Sequence, residues 1–509
     1  MYPGTHARTM PDKPALIDAE TGAVVTYGEL DAGSNRFAQY LYGLGLRRGG
    51  HMAFLLENNA RFPELCWAAL RSGLYFTAIN RYVTPVEAAY VVQDCGAQVV
   101  VASRYLAETA AALGALIPSC PVRLMLDGTI PGWESYEDAI AEMPVTPLAE
   151  ESLGDAMLYS SGTTGRPKGI LRPLPDARPD QMFRAREGFD SYGFNPGMVY
   201  LSPAPLYHAA PLWYSLAVQS YGGTVLMMPR FDAAEALALV ERHAVTHAQF
   251  VPTMFVRMLK LPEAERERHD LSSLRAVIHA AAPCPVEVKR RMIEWWGPII
   301  HEYYGGTEGN GITRLNSAEW LAHPGSVGRA KIGIIHVCDE DGGEQPAGVA
   351  GLIYFERDTV TFGYHNDPAK TRGAQHPAHP NWSTLGDIGH VDTEGYLYLT
   401  DRQAFMIISG GVNIYPQAIE DALVTHPKVR DAAVIGLPNV DLGEEVRAVV
   451  ELADDQHPSE ELAEELIAYL KLRVARYMVP KAIDFTDDMP RLPTGKLYKK
   501  ALRDRYATT

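Results

Sequence analysis

The sequence lacks any apolar run approaching the roughly 20 residues that a membrane-crossing helix needs, so no integral membrane segment is expected. Its N-terminus carries no apolar stretch behind a basic start, which argues against a secretory leader and makes the cytoplasm the expected location. Cysteine is scarce: five residues (Cys66, Cys95, Cys120, Cys284, Cys338) lie far apart, with no CxxC spacing and no nearby histidine pair of zinc type. Neither a disulfide framework nor a structural metal is implied, and Cys284 reads as a small apolar filler. Net positive charge is missing too. A balance of −16 argues against general nucleic-acid binding and leaves anion binding to local clusters such as residues 491–505, where six basic residues face one acid. Internal repeats and low-complexity tracts are also absent.

What is present is enough chain for more than one core. At 509 residues, 47% hydrophobic and 21% charged, the sequence predicts a globular protein of at least two domains, one of them large. Apolar runs at 53–56, 98–102 and 275–278 alternate with helical patterns, which predicts buried parallel strands joined by crossover helices, an α/β class. The last hundred residues read differently. Pro416 opens a helix with Ile419 and Leu423 on one face, His426-Pro427 closes it, and 432–435 and 447–452 follow as strands. Ser459 is placed to cap a further helix whose Leu462, Leu466, Leu470 and Val474 recur every four residues. This is a small α+β unit, and its border falls where the strand 396–400 meets Asp401-Arg402.

The sharpest local signal is Tyr159-Ser160-Ser161-Gly162-Thr163-Thr164-Gly165-Arg166-Pro167-Lys168-Gly169. Three glycines free the backbone to present N–H groups to an anion, four Ser/Thr hydroxyls add donors, and Lys168 adds a point charge. A polyphosphate cradle fits. A Walker A loop does not, because Lys168 follows Pro and no Ser or Thr comes after it. Further along, Tyr303-Tyr304-Gly305-Gly306-Thr307-Glu308 combines aromatic faces, small glycines, a hydroxyl and a hard oxygen ligand suited to Mg²⁺.

Taken in order, these motifs resemble the adenylate-forming superfamily of acyl-CoA synthetases, peptide-synthetase adenylation domains and firefly-type luciferases. The resemblance runs from Thr26-Tyr27-Gly28-Glu29-Leu30 to Pro493-Thr494-Gly495-Lys496, nearly the whole chain. It implies that Ser160 to Gly165 and Lys168 hold phosphates, that Ala281-Ala282-Pro283 with Tyr303, Tyr304 and Gly305 form the adenine pocket, and that Asp387 and Arg402 hold the ribose. It implies Thr307 as a phosphate contact, Glu308 and Thr163 as Mg²⁺ ligands, His208 between the phosphate region and the acyl pocket, and Ser409-Gly410-Gly411 along the pantetheine arm of coenzyme A. Lys496 is implied as the cation at the α-phosphate, where it offsets charge repulsion in the adenylation step. Two positions depart from the family pattern: Leu385 replaces the usual Thr before Gly386-Asp387, and Phe405 stands where many relatives carry a hinge Asp or Lys.

The fold implied is a large N-terminal multi-sheet α/β domain, residues 1–402, with a small mobile α+β C-terminal domain, residues 403–509. The activity implied is an ATP- and Mg²⁺-dependent carboxylic acid:CoA ligase (AMP-forming) acting through an acyl-adenylate; transfer to a carrier-protein thiol is the alternative. A luciferase-type oxygenase and a degenerate nucleotide-binding regulator are weaker readings, the latter because Lys168, Glu308, Asp387 and Lys496 are all present. The partners expected are a small-molecule acid, ATP and CoA. Homo-oligomerisation stays open. Ala280, Ala281, Ala282, Gly305 and Gly306 predict unfilled volume in the acyl pocket, with Leu212, Trp213 and Tyr214 offering apolar surface, and so a medium- or long-chain or otherwise bulky hydrophobic acid; the alternative is that the same alanines and glycines serve close helix–strand packing.

Overall fold

The structure, a computed structural model, describes residues 2–160, 167–181, 186–454, 456–491 and 497–507. The chain divides into two compact units: Met1–Gln249 with Glu267–Val277 and Thr361–Thr371, and Phe250–Arg266 with Ile278–Val360 and Arg372–Thr509.

The first unit is built on parallel strands. One sheet runs in the order Glu134–Ser135, Val122–Leu126, Val99–Ser103, His51–Leu55, Tyr75–Ile79 and Asp155–Ala156, every neighbour parallel. Its centre explains the continuous apolar runs: all five residues of Val99–Ser103 and of Tyr75–Ile79 are buried, because helices cover both faces of such a sheet. In a second layer Pro14–Asp18 pairs parallel with Thr224–Met227, which pairs parallel with Val199–Ser202. A small antiparallel sheet joins Leu158–Ser160, Lys168–Leu171 and Gly363–Tyr364.

The second unit contains an antiparallel ribbon in which Ile300–Tyr304, Ile312–Leu315, Ser326–Ile332, Leu397–Arg402, Trp382–Val391, Gly351–Glu356 and Ile334–Cys338 pair in that order. After Arg402 the chain forms an α+β body. Val429–Asn439 and Gly443–Leu452 pair antiparallel, Ala482–Phe485 adds a parallel strand, and Ile407–Ser409 turns tightly into Val412–Ile414. The two long strands exceed the segments 432–435 and 447–452 read from hydrophobicity. The backbone ladder continues through polar rungs such as Leu437–Glu445 and Asn439–Gly443, where the apolar signal has faded. The helices Gln417–Val424 and Glu460–Lys471 bury Ile419, Leu423, Leu462, Leu466 and Leu470 in one core. Ser459 caps the second helix by accepting from the Leu462 N–H, as expected.

Candidate active site

Within the second unit lies a cavity of about 240 Å³. Four strands contribute to its walls. The Ala276–His279 strand runs into Ala281, Ala282 and Pro283; the Ile300–Tyr304 strand supplies Tyr303, Tyr304 and then Gly305; and the cross-strand partners Asp387 and Arg402 meet in the antiparallel register of their ladder. Ala281 turns the chain in the left-handed region, φ +78°. For an L-residue this costs roughly 1–2 kcal/mol, so the smallest side chain with a Cβ is well suited there.

Tyr304 Oη donates to Asp387 Oδ2 at 2.6 Å, and Arg402 Nε pairs with Asp387 Oδ1 at 2.9 Å. Both carboxylate oxygens thus meet donors at the cavity wall. Burial pushes the Tyr304 phenol well above its usual range, and the neighbouring Asp387 charge pushes it further. Burial works against the Arg402 cation, but Asp387 and Tyr304 outweigh it and the net direction is upward. Near neutral pH the phenol therefore stays neutral and the guanidinium charged.

The two glycines expected to leave room are not open space, so at these positions the close-packing alternative holds and the volume argument does not. A Cβ at Gly306 would collide with the Leu385 side chain, and one at Gly305 would lie 3.1 Å from the Gly311 carbonyl oxygen. Leu385, the residue that departs from the family's Thr, fills the space that Gly306 leaves. Close packing, rather than substrate volume, accounts for these positions.

The cavity also holds groups that sequence reading missed. Glu302 lines it and is backed by Lys289, a lysine with no exposed side-chain surface. His279 stands 3.5 Å from the same carboxylate and is kept neutral by burial and by the Lys289 charge. A signal existed for Lys289: it falls on the buried stripe Val288, Lys289, Met292, Ile293 of the helix Val286–Trp296. Asp421 is pushed up to about 7 by burial, with Glu420 and Asp401 adding to the rise and the Gln417 amide and Lys499 opposing it.

Thr307 and Glu308 follow Gly305 in the chain but are not among the cavity's lining residues. Glu308 is close enough to Tyr304 and Arg402 to act on both electrostatically, and its Oε2 lies 2.9 Å from where a Cβ at Gly306 would sit. Ser409, Gly410 and Gly411 also lie off the lining; Ser409 pairs with Val412 across a two-residue turn in which Gly410 and Gly411 have φ +57° and +78°. Glycine at both positions fits a type I′ hairpin.

In the first unit, Ser160 and Lys168 face each other as antiparallel partners. Between them Ser161, Gly162, Thr163, Thr164 and Gly165 lie outside the described residues, as do Pro493, Thr494, Gly495 and Lys496 near the C-terminus. Lys168 Nζ sits 5.4 Å from the Tyr364 ring centre, and Tyr159 Oη donates to Asp94 at 2.5 Å. The base of the glycine-rich segment is thereby tied to the Gly363–Tyr364 strand and to the end of the helix Pro85–Asp94. His208 starts the helix Ala209–Tyr221, its ring 4.4 Å from that of Tyr207.

Residues 4–365 match the AMP-binding enzyme family and residues 418–496 match the AMP-binding enzyme C-terminal domain. The chain is 32% identical to the long-chain-fatty-acid–CoA ligase FadD13 of Mycobacterium tuberculosis, covering 99% of this chain and 97% of that protein. It is also 32% identical to a feruloyl-CoA synthase of an Amycolatopsis species, covering 99% and 98%. Its fold superposes on the anthranilate CoA ligase AuaEII in complex with anthranoyl-AMP with a TM-score of 0.84 at 25% identity, covering 99% and 96%. The match across both family regions places this chain, in which Ala281–Pro283, Tyr303–Gly305, Asp387 and Arg402 line one cavity, in the AMP-binding enzyme family, the adenylate-forming superfamily of acyl-CoA synthetases.

Proposed function

We propose that this chain joins a bulky hydrophobic carboxylic acid to coenzyme A, first forming the acyl-adenylate at the expense of ATP and then passing the acyl group to the thiol. The observation that carries the reading is the Tyr304–Asp387–Arg402 triad beside Ala281, Ala282 and Pro283 in one cavity. A charged carboxylate fixed by two donors is an acceptor for a ribose diol, and small residues next to a tyrosine pair suit a flat base. ATP therefore fits the residues present. Mg²⁺ suits Glu308, a hard oxygen donor held close to the triad, with Thr163 as the second ligand; the ion's role is to neutralise phosphate charge. Lys168, Thr307 and the 160–165 segment serve the phosphates, His208 stands between them and the acid, and Lys496 offsets repulsion between the attacking carboxylate and the α-phosphate. Ser409 to Gly411 serve the pantetheine arm. The functional border lies at Arg402, with 1–402 binding ATP and acid and 403–509 bringing Lys496 and the 409–411 turn to the reaction.

A bulky acid is favoured by the apolar character of the helix after His208, with Leu212, Trp213 and Tyr214 in its first turns. The substrates in the names of FadD13, the feruloyl-CoA synthase and AuaEII are likewise acids with a long-chain or aryl tail. Incubating the protein with ATP, Mg²⁺, CoA and acetate, octanoate, phenylpropanoate or a steroid acid tests both halves of the reading. AMP and pyrophosphate are expected, with higher kcat/KM for the larger acids. ADP as the product would sink the adenylation reading, and a preference for acetate the substrate class. Turnover on a pantetheinylated carrier protein but not on CoA would reassign the acceptor.

A further inference from the structure

We infer that Asp401 and Lys260 are positioning residues, a two-point polar clasp that seats the α+β body after Arg402 against the Tyr304–Asp387–Arg402 cavity for the adenylation half-reaction. This rests on the reaction proposed above. Asp401 is the next-to-last residue of the strand Leu397–Arg402 and is buried. Its Oδ1 accepts from the Arg402 N–H at 2.6 Å, and its Oδ2 accepts from the N–H of Gln417, 16 residues further on, at 3.0 Å. Gln417 is the first residue of the helix Gln417–Val424, and Pro416 before it offers no side-chain cap. The first N–H groups of a helix have no partner within it, and a carboxylate there also meets the positive end of the helix dipole. Asp401 thus caps this helix from the far side of the border, and the cap exists only while strand and helix are together.

Lys260 makes the second contact. It follows the helix Pro252–Leu259, and its Nζ donates to the carbonyl of Val429, where the strand Val429–Asn439 begins. The ladder with Gly443–Leu452 shifts register between Val429 and Asp431. A shift of this kind interrupts regular ladder bonding, and the carbonyl next to it is the one that Lys260 takes.

Neither contact belongs to an apolar interior. Among the described residues, the cores around Ile419, Val434 and Leu466 and around Ile435, Val449 and Leu502 draw only on residues after Arg402, whereas Val327, Ile353, Phe355 and Leu397 pack in a core of residues before it. Bodies with separate cores that meet through polar contacts move relative to one another by default. A single contact would leave a pivot; a second one, at Val429 as well as Gln417, removes it. The arrangement so held brings Leu497 and Lys499, the latter 2.8 Å from Glu420 Oε1, to the cavity that Tyr304 and Asp387 line, while Ser409, Gly410 and Gly411 are off it. With the turn proposed for the pantetheine arm away from the cavity, the clasped form serves the step that uses ATP.

The experiment compares the parent with Asp401→Ala, Lys260→Met and Lys260→Arg in the full-length protein. It follows acyl-AMP formation from acid and ATP separately from thioester formation from supplied acyl-AMP and CoA, and amide hydrogen exchange by mass spectrometry. Asp401→Ala and Lys260→Met are each expected to slow the first half-reaction by about 3–30-fold, the factor carried by one lost hydrogen bond to a charged group, with the second within about twofold. Lys260→Arg, which keeps a donor on a long arm, should stay within about twofold of the parent in both. Lys260→Met should also speed exchange over 403–417, where no atom has been changed, because losing one point loosens the other. Loss with Asp401→Ala but not with Lys260→Met would mean that Asp401 acts through Arg402 alone and overturns the clasp, as would equal loss in both half-reactions or unchanged exchange over 403–417. If Asp401→Ala does not fold, Lys260→Met decides by itself. A parent that yields no acyl-AMP removes the functional reading and the inference together; an active parent with insensitive variants removes the inference alone.

Discussion

Asp387 has one donor from the Ile300–Tyr304 strand and another from its own ladder partner, and its charge is the feature of the triad that a ribose would use. Asp387→Asn keeps the shape but loses the charge and sets an amide against two donors. We expect the KM for ATP to rise by about 10–100-fold, in line with the roughly 1.5–3 kcal/mol of a charged hydrogen bond, with the melting temperature nearly unchanged. An unchanged KM would show that the carboxylate does not meet the nucleotide. Asp421 predicts a pH effect. Its folded pKa, about 7, lies above the model-peptide value of 3.8, so its contribution to stability is full below about pH 4 and is lost as pH rises through 7. Asp421→Asn, which retains an acceptor for the Gln417 amide, should raise the melting temperature at pH 8, by the equivalent of ~1–3 kcal/mol, and should match the parent near pH 4. Melting curves across that range decide it; a constant offset would mean that the acid titrates normally.

At the scale of elements, local chemistry often suffices. Ser459 caps its helix through the Leu462 N–H, with Glu460 and Glu461 in the first turn where the helix end is positive. Ser459→Ala should cost ~1 kcal/mol of stability, read as a lower denaturation midpoint with acyl-AMP formation unaffected. The same legibility applies to the helix after Pro416, identified by its period, and to the runs around Ala53 and Val100, identified by their unbroken apolar character. It fails where an element is defined by its partner. The strand Val429–Asn439 extends past its apolar centre because Gly443–Leu452 offers a complete ladder, and no residue in either strand announces that length by itself. Gly305 and Gly306 look like open volume in sequence, and only the structure shows Leu385 and the Gly311 carbonyl beside them.

For the whole molecule, the sequence by itself determined the class, the order of the motifs and the residue types available for nucleotide chemistry. Composition, hydrophobic period and short glycine-rich signatures are local properties, and they survive without coordinates. The tertiary structure decided which of those residues share a cavity. Tyr304 and Asp387 are separated by 83 positions and meet through strand order, and Arg402 reaches them through a ladder register. Glu302, Lys499 and Glu420 would each read as solvated surface charges, since lysine and glutamate are almost never buried unless paired, and the stripe that holds Lys289 does not say what pairs with it. Whether a partner is present depends on topology, which spacing along the chain does not encode; that is why the buried charges, unlike the motifs, became visible only in the folded protein.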